Sequence, residues 1–112
     1  KGDTLLHGDY YPGSWIQLDK RFCIIDPEFS FVGPKEFDLG VMAAHIILTT
    51  GQRSFFDLTI KNYQGTINVN MTKIYCGIEI IRRLIGLAQL PIKRTLKQKK
   101  NLLNLANNLI LQ

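Results

Sequence analysis

Cysteine is scarce in this 112-residue sequence, and the two that occur, Cys23 and Cys76, lie far apart. Neither belongs to a Cys-x-x-Cys pair or a His-Cys cluster, so neither a disulfide framework nor a zinc site is indicated. This cysteine usage favours a reducing compartment, and we expect a cytoplasmic protein. The sequence starts at Lys1 without a basic-then-apolar leader, which we interpret as a piece of a longer protein.

Long apolar runs are also missing. The most apolar stretch, Phe37 to Leu48, is interrupted by Asp38 and His45 and falls short of the ~20 residues that span a bilayer, so no membrane partner is expected. Hydrophobic residues make up 46% and charged residues 21% of the chain, which is typical of a globular protein rather than a disordered one. The length allows one small domain over residues 1–112.

Acidic residues are few in the second half of the sequence. Residues 1–50 carry four Lys or Arg against seven Asp or Glu, giving −3, whereas residues 51–112 carry ten against two, giving +8. Nucleic-acid binding by the basic half is the weakest of our hypotheses, because its basic residues are diluted among Leu, Ile and Asn on predicted helices. We therefore expect no nucleic-acid partner.

The first half of the sequence predicts a β-hairpin. Apolar and β-branched residues over Ser14 to Leu18 and Arg21 to Ile25 flank the polar pair Asp19-Lys20, the pattern of two short strands and a tight turn. Pro27 removes a backbone donor and biases Asp26 toward an extended conformation. We expect the sheet to stop there.

Helices are predicted for the rest of the chain. Phe37 to Thr49 is apolar around its whole circumference, which indicates a buried central helix ending at Gly51. A helix over Arg53 to Tyr63 has a less regular pattern, and a last helix from about Thr95 follows a break at Pro91.

Between those two helices lies the clearest amphipathic pattern, which predicts a helix with one buried stripe. The stripe consists of Ile67, Met71, Ile74, Ile78, Ile81, Ile85 and Ala88. A hairpin followed by helices predicts the α+β fold class.

Two acids lie beside turns at the predicted hairpin. Asp9 precedes one strand within a Gly/Pro-rich loop, and Asp26 follows the partner strand. A hairpin brings both to the same edge, where two carboxylates can hold Mg²⁺ and orient a hydroxyl. Phosphoryl transfer requires both of these tasks.

Three ordered motifs resemble the aminoglycoside phosphotransferase and choline kinase group, which is related to protein kinases. They are His7-Gly8-Asp9, then Asp26-Pro27-Glu28-Phe29, then Gly33-Pro34 followed by Phe37-Asp38-Leu39. Within the group, these motifs and the later Glu79 to Ala88 segment with its Arg-Arg pair are most similar to methylthioribose kinases. The catalytic loop departs from that subfamily at Tyr10-Tyr11-Pro12.

The resemblance implies a protein-kinase-like C-terminal lobe, in which the hairpin carries the catalytic and metal-binding loops and packs on a mainly α-helical bundle. It further implies a kinase that uses ATP and Mg²⁺ to phosphorylate a hydroxyl of a sugar-like substrate, methylthioribose or a related compound. The Gly-rich phosphate loop of the other lobe is missing from residues 1–112, so we expect this piece alone to be inactive. Its partners would be the missing N-terminal lobe and, in the longer protein, a second copy in a homodimer.

By the same resemblance, Asp9 is the catalytic residue that orients the attacking hydroxyl. Asp26 and Glu28 bind the metal and thereby ATP, and Ser14 stands where most relatives have a metal-binding Asn. A hydroxyl is a weaker and shorter ligand than an amide oxygen.

The Arg-Arg pair of the later helix, Arg82 and Arg83, matches the residues that contact the sugar. Without the resemblance the pair would be interpreted as the solvated face of a helix.

Three further residues are interpreted as structural. We expect His7 to organise the loop through backbone hydrogen bonds, Asp38 to accept backbone N–H groups of the same loop, and His45 to be a hydrogen-bonded core histidine. The alternative to the kinase hypothesis is a catalytically inactive kinase-like fragment that acts as a partner-binding module. Its motivation is the unusual Ser14 and the two loop tyrosines.

Overall fold

The structure is a computed structural model that describes residues 2–86, 89 and 93–111. Four helices and two small antiparallel sheets confirm the predicted α+β class. The strands are β1 (Thr4–Leu6), β2 (Trp15–Leu18), β3 (Arg21–Ile24) and β4 (Phe31–Gly33), and short 3-10 turns cover Pro12–Ser14 and Pro27–Phe29. The helices are α1 (Glu36–Thr50), α2 (Ser54–Asn62), α3 (Val69–Ile85) and α4 (Leu96–Leu111).

The predicted hairpin is confirmed. Strands β2 and β3 pair antiparallel from Trp15 opposite Ile24 to Leu18 opposite Arg21. The Ile25 N–H donates to the Ser14 carbonyl at 2.8 Å, which continues the pairing by one step beyond the strands. The loop before β2 and the turn after β3 therefore leave the hairpin at the same end.

The conformation predicted for Asp26 is wrong. Its φ of 58° and ψ of 57° are left-handed, whereas the following proline favours an extended residue. The chain reverses at this point into the Pro27–Phe29 turn, and Asp is among the few side chains that tolerate the left-handed region. Non-glycine residues held in this region cluster at functional sites.

A second strand pair was not predicted. Strand β4 pairs antiparallel with β1, from Thr4 opposite Gly33 to Leu6 opposite Phe31. Each strand has three residues, too few for an alternating pattern to be recognised. The pair brings the start of the chain next to the segment that leads into α1.

Helix α1 is the predicted central helix. It packs against α2 and α3, and α3 in turn packs against α4. At Gly40 an added Cβ would lie 2.7 Å from the Tyr75 Cβ, so glycine permits the close crossing of α1 and α3. The core consists of Ala43, Ala44, Ile47, Leu48, Phe56, Cys76, Ile80, Leu84, Leu102, Ala106 and Leu109.

Helix α3 forms as predicted, but the prediction of which side of the helix is buried is wrong. None of the described residues of the predicted stripe is fully buried. Ile74, Ile78 and Ile85 are 40%, 50% and 62% exposed, whereas the core side holds Cys76, Ile80 and Leu84 together with Thr72, Gly77 and Glu79. The helix is apolar on two sides, and the side with small residues allows α1 and α4 to approach closely. Ala88 and the predicted break at Pro91 lie outside the described residues.

The other two predicted helices are confirmed as α2 and α4. Within residues 2–86 and 93–111, no helix combines the length and apolar character that crossing a bilayer requires.

Candidate active site

The loop that carries Asp9 is fixed by the carboxylate of Asp38. The backbone N–H groups of His7 and Gly8 donate to Oδ2 and Oδ1 of Asp38 at 2.7 and 3.1 Å. Asp38 lies in the first turn of α1, where the helix dipole favours a negative charge. The predicted role of Asp38 as an acceptor for the loop backbone is confirmed.

His7 connects this loop to the end of β3. Its Nε2 lies 2.6 Å from the Ile25 carbonyl oxygen, and the Asp9 N–H points to its Nδ1 at 3.2 Å. These two contacts agree on one tautomer, in which Nε2 donates and Nδ1 accepts. His7 is thus a loop-organising residue, as predicted, and it joins the residue before Asp26 to the backbone of Asp9.

Glycine is required between His7 and Asp9. Gly8 has a φ of 87°, in the left-handed region that L-residues disfavour. A Cβ at this position would also lie 2.1 Å from the carbonyl oxygen of Phe29. The loop therefore approaches the Pro27–Phe29 turn more closely than any side chain would allow.

Ser14 closes the other end of the loop. Its hydroxyl donates to the Asp9 carbonyl oxygen at 2.9 Å, and its side chain is 2% exposed. The donor of the hydroxyl is thus used within the loop. As a metal ligand, Ser14 would have to offer a lone pair from beneath the loop surface.

The predicted metal-binding carboxylates lie at the surface. Asp26 and Glu28 are exposed, and within residues 2–86 and 93–111 no hydrogen bond to either carboxylate is present. In the same part of the chain, no group of three or more His, Cys, Asp or Glu side chains forms a metal site. Mg²⁺ bound to a nucleotide needs only one or two protein carboxylates, because phosphate oxygens and waters complete its octahedron. The pair Asp26 and Glu28 fits this requirement.

The two predicted substrate-binding arginines are not equivalent. Arg83 is 14% exposed, and its Nη2 lies 3.7 Å from Oδ1 of Asp9. Arg82 is 47% exposed and its guanidinium is bound to Glu79 at 2.8 Å. The structure therefore brings Arg83 to the loop that carries Asp9 and leaves Arg82 at the rim.

A buried carboxylate missed by the sequence analysis holds both arginines. Glu79 is 4% exposed, and its Oε2 lies 2.7 Å from Nε2 of His45 and 3.0 Å from Nε of Arg83. Burial alone would raise the pKa of Glu79, but the donors of its three partners outweigh burial and lower the pKa to about 2. His45 is a hydrogen-bonded core histidine, as predicted.

The signal for Glu79 was present in the sequence. A Glu three and four residues before two arginines lies on the same side of a helix as both. What the sequence could not show is that this side of α3 faces His45 of α1.

One of the two loop tyrosines, Tyr11, contacts the same cluster. The ring of Tyr11 lies 4.7 Å from the ring of His45, and the guanidinium carbon of Arg83 lies 5.8 Å from the centre of the Tyr11 ring. Burial raises the pKa of Tyr10, and the charge of Asp38 raises it further. Tyr11, within the predicted departure at Tyr10-Tyr11-Pro12, therefore lies beside Arg83, which in turn reaches Asp9.

The hairpin thus carries the Asp9 loop and the Asp26 turn at one end, and Asp38 of the next helix binds the backbone of the Asp9 loop. The sequence profile described as the phosphotransferase enzyme family matches residues 2–72, more than half of the chain and the part that contains all three motifs. The chain belongs to this family, which confirms the predicted resemblance.

Curated relatives of the chain are methylthioribose kinases. That of a Geobacillus species is 31% identical over the whole chain, which covers 38% of its length. That of Geobacillus thermodenitrificans is 31% identical over 88% of the chain and 34% of its own length. That of Exiguobacterium sibiricum is 50% identical over 46 residues, 41% of the chain and 12% of the relative. The chain spans little more than a third of the first two relatives.

Proposed function

We propose that the full-length protein carrying this chain is an ATP-dependent small-molecule kinase. It would transfer the γ-phosphoryl group of ATP to a hydroxyl of a sugar-like substrate, methylthioribose or a related compound. The observation that carries the proposal is the joining of the Asp9 loop and the Asp26 turn at one end of the β2–β3 hairpin. The names of the relatives support the substrate class.

Asp9 is proposed as the residue that accepts or orients the proton of the attacking hydroxyl. Its backbone N–H is held by His7 and its carbonyl oxygen by Ser14, so the side chain leaves a loop that is fixed on both sides. The carboxylate is 27% exposed, which leaves it accessible to a substrate. A base held in place contributes about 10²–10⁴-fold to the rate of such a step.

Asp26 and Glu28 are proposed to bind Mg²⁺ and through it the phosphates of ATP. Both belong to the tight turn after β3, and Glu28 lies in the first turn of its 3-10 helix. When bound, the metal would neutralise charge that develops on the phosphates. Ser14 would join the set only if its buried hydroxyl offers a lone pair while it donates to Asp9.

Arg82 and Arg83 are proposed to bind the acceptor substrate. Arg83 lies beside Asp9 and Tyr11, where a guanidinium can donate to a sugar hydroxyl next to the one that reacts. Arg82 would reach the same substrate from the exposed rim of α3.

The domain assignment is part of the proposal. Residues 1–112 are taken as the C-terminal part of a kinase-like domain, with an N-terminal lobe of the same protein supplying the remaining ATP contacts. A homodimer of the full-length protein remains compatible with this arrangement.

The test is phosphorylation of methylthioribose and related sugars by the full-length protein with ATP and Mg²⁺. Asp9→Asn is expected to lower kcat by about 10²–10⁴-fold while Mg²⁺-ATP still binds, because Asp9 acts on the acceptor. Asp26→Asn is expected to abolish Mg²⁺-dependent ATP binding as well, measured by calorimetry. Asp57→Asn, an exposed acid of α2, is the matched control.

Two outcomes would contradict the proposal. Full activity of either Asp9→Asn or Asp26→Asn would remove the assigned role of that residue. A folded full-length protein that gives no Mg²⁺-dependent heat with ATP would instead favour the inactive, partner-binding alternative.

A further inference from the structure

The carboxylate of Glu79 forms the centre of a cluster that ends at the proposed catalytic residue. Its Oε2 is shared between His45 at 2.7 Å and Arg83 at 3.0 Å, and its Oε1 accepts from Arg82 at 2.8 Å. Arg83 then reaches Asp9, with 3.7 Å between Nη2 and Oδ1. The cluster therefore connects α1, α3 and the loop before β2.

The burial of this cluster decreases from Glu79 outward. Glu79 and His45 are 5% exposed at their side chains, Arg83 is 14% exposed, and Asp9 is 27% exposed. Long arginine side chains lose much conformational freedom when they are fixed in one place, so the partly buried Arg83 would not hold a single position unaided. A carboxylate that is itself held by His45 in the core provides a rigid anchor.

Tyr11 restricts Arg83 from a second direction. Its ring packs on His45 and under the Arg83 guanidinium, so the anchor and the arginine share one aromatic neighbour. A cation over a tyrosine face is attracted to it. Arg83 is therefore held at Nε by Glu79 and over its plane by Tyr11, and its Nη2 points at Asp9.

We propose that Glu79 is a positioning residue for the transfer site: anchored by His45, it fixes the Arg83 guanidinium against Asp9. This inference rests on the proposed function and goes beyond it, because Glu79 is not itself one of the proposed catalytic, metal-binding or substrate-binding residues. It also assigns different roles to the two arginines. Arg83 lies at the reacting end, and Arg82 covers the outer side of the anchor.

The test uses Glu79→Gln in the full-length protein, which keeps the size of the side chain and removes its charge. Misplacing Arg83 by about 1 Å is expected to lower kcat/KM for the acceptor by about a hundredfold. KM for ATP should stay within about twofold, since Asp26 and Glu28 lie on another turn. Glu79→Asp, which keeps the charge but is one methylene shorter, is expected to show a smaller loss of the same kind.

The double variant of Glu79 and Arg83 distinguishes a positioning role of Glu79 from a merely structural one. If Glu79 acts through Arg83, adding Glu79→Gln to Arg83→Gln should lower kcat/KM by clearly less than Glu79→Gln lowers it in the wild type, with the remaining loss arising through Arg82. Losses that multiply in the double variant would overturn the proposal. Glu36→Gln is the matched control, because Glu36 is also a buried carboxylate but holds the Asn68 N–H at 2.8 Å, outside the cluster; its kinetics should be those of the wild type.

A crystal structure of the Glu79→Gln protein supplies a readout that needs no activity. We expect Nη2 of Arg83 to move beyond 4 Å from Oδ1 of Asp9. An unchanged Arg83 would overturn the inference, even if the wild-type protein phosphorylates none of the sugars tested. Inactivity of the wild type would, by contrast, contradict only the proposed function.

Discussion

Replacing Asp38 by Asn removes the charge that fixes the Asp9 loop while it leaves the shape of the side chain. The carboxylate accepts two backbone N–H groups, from His7 and Gly8. An amide offers one acceptor oxygen and turns its NH₂ group toward the second N–H. One charge-assisted hydrogen bond is thus lost and the other becomes neutral.

The magnitude follows from these two changes. A hydrogen bond to a charged group contributes about 1.5–3 kcal/mol and a neutral one about 0.5–1.5 kcal/mol. The loop in Asp38→Asn should therefore open with about 2.5–4.5 kcal/mol less free energy. Because about 1.4 kcal/mol is a factor of ten, the amides of His7 and Gly8 should exchange with solvent about 60–1,600-fold faster.

Amide hydrogen exchange on the full-length protein measures this effect residue by residue. Asp57→Asn is the control, because Asp57 also lies in the first turn of a helix but is exposed. Loss of the Asp57 charge removes only the helix-dipole contribution of about 0.3–1 kcal/mol. Unchanged exchange at His7 and Gly8 in a folded Asp38→Asn protein would refute the role given to Asp38. An equal effect of Asp57→Asn would do the same.

Three further predictions concern the backbone, the acid limit and the thiols. Gly8→Ala should destabilise the loop by at least about 2 kcal/mol and abolish turnover, because φ is positive and a Cβ would meet the Phe29 carbonyl oxygen; thermal unfolding and kcat check it, and wild-type values would contradict it. The pKa of Glu79 is lowered from 4.5 to about 2, so its ionised form contributes on the order of 3 kcal/mol to the free energy of unfolding. This contribution is complete above pH 4.5 and is lost as pH falls through about 2. Glu79→Gln should therefore flatten this part of an acid-unfolding curve, and an unchanged curve would exclude the contribution. Burial raises the pKa of Cys76 to about 12, so a thiol reagent at neutral pH should label the partly exposed Cys23 and spare Cys76 in the folded protein; labelling of Cys76 at the rate of Cys23 would contradict its burial.

The elements that follow local rules were predictable. The β2–β3 hairpin was predictable because its turn pair and its two strands lie within one short segment, Trp15 to Ile24. Helix α1 was predictable because a helix that packs between other elements is apolar on all sides. The structural roles of His7, Asp38 and His45 were also predictable, since each is a polar side chain beside a turn or inside an apolar helix.

Predictions failed where the answer depends on a distant partner. Strand β4 exists because β1 lies beside it, some 25 residues earlier in the chain, and neither strand has a pattern of its own. Helix α3 has two apolar sides, and only the positions of α1 and α4 decide that Cys76 and Ile80 face inward while Ile78 stays exposed. The left-handed Asp26 results from the chain reversal, which overrides the preference of a residue before proline.

For the site, the sequence alone determined which residues are proposed to do the chemistry. Motif order and the family resemblance led to the prediction of Asp9, Asp26 and the arginine pair as site residues, and without the resemblance the arginine pair would be interpreted as the solvated face of a helix. Tertiary structure decided which arginine reaches the loop and that Glu79 holds it. Those facts depend on the rotation of α3 against α1, which results from packing a whole core and is encoded in no single segment.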